Sequence, residues 1–114
     1  MIINRRKGLE MARITKKIAT KMLGEVSADK QFYCADGRFI KDLPGLEVTL
    51  KEMNDETFYY HSNDNKSDFS NWVRDVIGDD KLARDLQKST SRTQAVKLIT
   101  NRLVWLRNKV MIDN

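Results

Sequence analysis

The chain has 114 residues, 40% of them hydrophobic and 32% charged, and a net charge of +5. That length suits one domain-sized core and excludes two large domains. No stretch approaches the ~18 uninterrupted apolar residues a bilayer crossing requires, and the single cysteine, Cys34, cannot form a bridge within the chain, so a reducing cytoplasm is the expected compartment.

In chain order, Met1 to Gly8 shows no period and reads as a basic lead-in. Met11 is an alternative natural start. Residues 9–26 have helical periodicity, with Ile14, Ile18, Met22 and Val26 at steps of four and Ala19 and Leu23 on the same broad face. Arg13, Lys17 and Lys21 form a second stripe one residue out of phase, which Lys16 widens. Residues 31–40 read as a β-hairpin around Asp36-Gly37, where a type I′ turn with positive φ at both positions is expected. Such a hairpin is only marginally stable alone, so helices must cover its inner face.

Pro44, two residues after Asp42, opens a helix with Leu46, Leu50 and Met53 on one face. Asn54 or Asp55 caps a short helix holding Phe58, Tyr59, Tyr60 and His61. Ser62 to Ser67 is wholly polar and reads as a loop, without the ligand spacing of a calcium site. Asp68 is the expected cap of a central helix with Phe69, Trp72, Val73, Val76 and Ile77 inward and Gly78 as its stop. Asp79 or Asp80 caps a helix burying Leu82, Ala83 and Leu86. Ser91-x-x-Gln94 resembles a capping box and opens a long helix over 91–111, with Ala95, Ile99, Leu103, Leu106 and Val110 inward. Val104 and Trp105 lie off that face, which makes Trp105 an interface candidate. The expected fold is mainly α with one small β-hairpin, about five helices packed around it. Residues 1–26 form a basic arm and helix, and 27–114 a single compact domain.

Catalytic equipment is sparse. One histidine and one cysteine leave too few ligands for zinc. Cys34 with His61 could serve as nucleophile and base, and each has a structural alternative: Cys34 as a small apolar core residue, His61 as a hydrogen-bonded helix-terminal side chain. Asp75, Asp79, Asp80 and Asp85 read as helix-end carboxylates rather than metal ligands. No phosphate-cradling glycine motif occurs, so neither cofactor nor metal is expected. Phe32, Tyr33 and Phe39 can stack unpaired bases or fill the core, and a domain this small favours the core.

The run Phe32-Tyr33-Cys34-Ala35-Asp36-Gly37-Arg38, then Ile40 to Leu43, Glu56 to His61, Asp68-Phe69, Trp72-Val73, Asp75-Val76, Gly78-Asp79 and Leu82-Ala83 resembles a small prokaryotic domain, mainly archaeal, that has no assigned activity. The resemblance spans residues 31–86 and implies a domain boundary and a lineage, not a mechanism. Residues 11–17 are similar, more weakly, to the starts of small basic chromatin proteins.

Charge is distributed unevenly. Residues 1–26 hold seven bases against two acids, 27–85 eight against thirteen, and 86–114 six against one. A basic arm beside a neutral body forms an electrostatic footprint for nucleic acid, because cations that neutralise phosphates release condensed counterions. The basic ends can instead lie against the chain's own acidic middle, where exposed pairs contribute ~0–1 kcal/mol each. The leading expectation is a non-enzymatic module contacting the phosphate backbone of DNA or a ribonucleoprotein through Arg5, Arg6, Lys7, Arg13, Lys16, Lys17 and Lys21, with Arg102, Arg107 and Lys109 as secondary contacts. The alternative is a protein–protein adaptor or homo-oligomer that joins acidic middle to basic ends.

Overall fold

The structure is a computed structural model that describes residues 13–112. Among these residues the chain is mainly α, as expected, with six α-helices and two short antiparallel hairpins. The order is α1 (Lys16–Leu23), a single 3-10 turn (Ala28–Lys30), β1 (Phe32–Tyr33), β2 (Phe39–Ile40), α2 (Leu43–Glu52), α3 (Asp55–His61), β3 (Ser62–Asn63), β4 (Lys66–Ser67), α4 (Asp68–Trp72), a π-helical turn (Val73–Ile77), α5 (Asp80–Lys88) and α6 (Arg92–Ile112).

Local chemistry starts most of these helices. Thr15 caps α1 by accepting from the Ile18 N–H, Asp42 caps α2 through the Gly45 N–H, and Asn54 caps α3 through the Thr57 N–H. These caps satisfy donors that the first helical turn leaves without partners. Thr15 also moves the start of α1: residues 13–15 are not helical, so Arg13 and Ile14 precede the helix instead of riding on it. The rest of the predicted lead-in lies outside the described residues. Ser91 Oγ accepts from the Gln94 N–H, as the capping box requires, but Gln94 Oε1 reaches back to the Thr90 N–H.

Four local expectations are corrected. The hairpin loop is longer than a type I′ turn. Cys34 N–H donates to the Arg38 carbonyl and Gly37 N–H to the Cys34 carbonyl, so Ala35, Asp36 and Gly37 form a three-residue loop. Only Gly37 has positive φ (96°), and Asp36 stays outside the left-handed region. The polar stretch 62–67 is a second hairpin, with Ser62 paired to Ser67 and Asn63 to Lys66. Ser67, not Asp68, precedes α4, and the Asp68 carboxylate turns to His61 and Lys66. Downstream, Gly78 N–H reaches back five residues to the Val73 carbonyl. That widened turn shifts the register and leaves Val76 only half-buried, while Gly78, at φ 88°, ends the helix as expected.

The 21-residue α6 is the post of the fold: α1, α2 and α5 all pack on it, and α4 packs on α5. Its Ala95, Ile99, Leu103 and Leu106 are buried against Leu43, Leu46 and Leu50 of α2, Leu82 and Leu86 of α5, and Ala19 and Met22 of α1 within one apolar core. Ile18, predicted inward, is 41% exposed, so the inner face of α1 is centred on Ala19 and Met22. The first hairpin closes one end, with Phe32 stacked on Phe69 (centroids 5.1 Å apart) and edge-on to Trp72. Trp72 Nε1–H donates to the Lys30 carbonyl at 2.8 Å and holds the chain entering β1.

Candidate functional site

Two of the three lysines of α1, Lys17 and Lys21, fall opposite its buried side, and Arg13 is exposed just before the helix. Ala19 and Met22 turn inward, whereas Arg13, Lys17 and Lys21 are exposed and make no ion pair with any described residue. The helix itself contains three lysines and no carboxylate. Glu25, the next acid along the chain, pairs with Lys41 at 3.3 Å. Lys16 is half-buried and has a partner of its own. Arg5, Arg6 and Lys7 lie outside the described residues.

The basic C-terminal helix behaves differently. Arg102 is not the free cation expected of a phosphate contact: its guanidinium grips Asp79 in two hydrogen bonds of 2.7 and 2.9 Å. The Asp79 side chain is fully buried and that of Arg102 only 10% exposed. The same carboxylate caps α5 through the Leu82 N–H. Arg92 at the start of α6 likewise meets Asp55 at 2.9 Å and the Leu50 carbonyl at 3.0 Å. Part of the acidic middle is therefore neutralised within the chain, by α6. Arg107 is exposed, without an ion pair among the described residues. Lys109 lies 6.0 Å from the Trp105 ring centroid, and the Arg102 guanidinium stands over the same ring at 4.6 Å. Trp105 is 42% exposed and borders a cleft of about 430 Å³ that Ile14 and Leu98 also line.

The candidate nucleophile and base are both interior. Cys34 is buried, and burial is the main cause that pushes its thiol pKa up, away from the reactive thiolate. His61 is 5% exposed. Its Nε2 accepts from the Ala35 N–H at 2.9 Å, so that nitrogen carries no proton, and Nδ1–H faces the Asp68 carboxylate at 3.0 Å. Phe32 and Phe69 pack around the ring, with centroids 5.1 and 5.3 Å away. His61 thus joins the first hairpin to α3 and α4, with both ring nitrogens engaged.

The aromatic residues divide by the alternation of the hairpin. Phe32 and Ile40 are buried, while Tyr33 and Phe39 are exposed, so core packing accounts for only one of the three hairpin aromatics. Nothing in the local sequence marks Asp79 as an internal ion partner. The outward aromatics were readable from period-two alternation, since Phe32 and Tyr33 cannot share a face. Compared with known proteins, the chain matches no family model, no curated protein and no solved structure.

Proposed function

We propose that this chain is a non-enzymatic, nucleic-acid-associated module of the cytoplasm that meets the phosphate backbone of DNA or of a ribonucleoprotein. One observation carries the reading: Arg13, Lys17 and Lys21 are exposed, and no described carboxylate neutralises them. Their role is charge neutralisation without base-edge reading. Arg5, Arg6 and Lys7 extend this cationic segment in sequence, and Arg107 is a secondary contact on the helix that supports α1. Arg102 drops out of the set because Asp79 already engages it. No helix among the described residues is long and apolar enough to cross a membrane. The resemblance to an uncharacterised prokaryotic domain enters this reading as a proposed core over 31–86, with α1 and α6 as the distinguishing additions.

Titration with duplex DNA, single-stranded DNA and RNA at two salt concentrations tests the reading. Binding is expected to weaken steeply with salt. In the triple variant Arg13→Gln/Lys17→Gln/Lys21→Gln, the slope of log affinity against log salt should fall by about 2.7 on duplex DNA if each residue neutralises one phosphate. Absence of binding at low salt, or binding insensitive to salt, removes the proposal.

The exposed Trp105 beside its cleft favours a second reading, an adaptor or homo-oligomer. Its electrostatic half is weakened because Arg92 and Arg102 already meet Asp55 and Asp79 in the same chain. A salt-sensitive dimer mass in nuclease-treated protein would favour this reading over the first.

A further inference from the structure

Tyr33 and Phe39 face each other across the first hairpin, with ring centroids 4.9 Å apart and planes tilted by 59°. They are 64% and 69% exposed, while Phe32, Cys34 and Ile40 fill the covered side of the same strands. Aromatic side chains bring large apolar area to a core, and this fold leaves two of them side by side in water.

Unpaired cations lie at the root of this hairpin. Val26 N–H donates to the Lys41 carbonyl at 2.8 Å, tying the segment after α1 to the exit of β2. A cleft of about 260 Å³ there is lined by Lys21 of α1 and by Lys30, which precedes β1 by two residues. Neither lysine makes an ion pair with a described residue. Asp29 is adjacent to Lys30: its carboxylate accepts from Ser27 Oγ–H at 2.7 Å, the leading cause that holds its pKa below the usual range, and the Lys30 charge adds to the same lowering. Glu25, which also lines the cleft, is taken by Lys41, and Arg38 by Asp36 and Glu52. Lys17 and Lys21 of α1 and Lys30 before β1 therefore stand outside any ion pair with a described residue, with Asp29 as the carboxylate beside Lys30.

We propose that Tyr33 and Phe39 form a stacking platform for an unpaired base, so that the polyanion this chain holds is a single strand whose phosphates follow Lys17, Lys21 and Lys30. This rests on the phosphate-binding reading above and adds strand selectivity to it. Single-strand sites combine a cationic track with exposed aromatic faces, because every unpaired base offers a π-face to stack. A duplex keeps its base faces stacked inside. An acidic peptide would satisfy the lysines and leave the rings uncovered. A second copy docked ring to ring would bring two sets of these lysines together.

The test uses the full chain with three labelled probes of equal length: an oligothymidylate, an abasic deoxyribose-phosphate strand and a DNA duplex. The abasic strand has the charge without the bases. We expect the oligothymidylate to bind about fivefold or more tightly than the abasic strand, the effect of stacking a single base. Tyr33→Ala/Phe39→Ala should abolish that preference and leave salt dependence unchanged. Tyr33→Leu/Phe39→Leu, which retains apolar bulk on the strands, should do the same. Equal binding of thymidylate and abasic strands, or a preference that survives both variants, overturns the stacking platform and leaves the phosphate reading standing. A dimer in solution that the aromatic variants dissociate without changing strand affinity overturns it as well. Failure of all three probes at low salt removes the phosphate reading, and the platform with it.

Discussion

At Asp79 one carboxylate serves two purposes, receiving the Leu82 N–H as the cap of α5 and the Arg102 guanidinium from α6. The carboxylate itself has no water as a substitute partner, since the Asp79 side chain is fully buried. Removing one member of a buried pair leaves the other charge uncompensated, which costs about 3–5 kcal/mol, well above the net value of the pair itself. Asp79→Asn keeps an oxygen for the cap but not the charge, so urea unfolding should show a loss of that order. Thr15→Ala, which removes only an exposed cap, should cost about 1 kcal/mol. Arg102→Leu should likewise lower stability, whereas a surface phosphate contact would change affinity alone. His61 illustrates the same economy with a neutral group, since its acceptor nitrogen meets the hairpin loop and its donor nitrogen meets Asp68 at the start of α4.

Among the elements, the first hairpin depends on one residue in the left-handed region. A Cβ at Gly37 would meet nothing within 4 Å, so the penalty of Gly37→Ala is conformational and not steric crowding by neighbours. Thermal melting should show a loss of about 1–2 kcal/mol, the cost of placing an L side chain at positive φ. Capped helices were legible in sequence because their signals are local: Asp42, Asn54 and Ser91 each bond to an amide three residues ahead. The β3–β4 hairpin was not, because its strands are polar and two residues long and supply no apolar alternation. The π-helical turn escaped for a related reason. Phe69, Trp72, Val73 and Ile77 are buried as a regular helix predicts, and only the half-buried Val76 betrays the extra residue in the turn. Long-range partners leave no local trace: Ala35 and His61 are 26 positions apart, and Asp79 and Arg102 are 23.

For the whole molecule, the basic, acidic and basic order of the chain does not survive folding as three separate fields. α6 sends Arg92 and Arg102 into the acidic middle, while Arg13 just before α1 and Lys17 and Lys21 on it stay outward. The candidate phosphate contacts on α1 were readable from composition and spacing, but the internal use of Arg102 was not. The two helices also differ in length and in total anchorage, with two buried side chains on the eight residues of α1 against four on the 21 residues of α6. Elements with fewer buried contacts open more readily than the core they rest on. In deuterated buffer, backbone amides of residues 19–23 should exchange faster than those of residues 99–106, and a saturating polyanion should slow the former selectively. A short helix held by two buried side chains is thus the part of the fold that can best adjust to the contour of whatever its exposed lysines grip, while the frame beneath it keeps its shape.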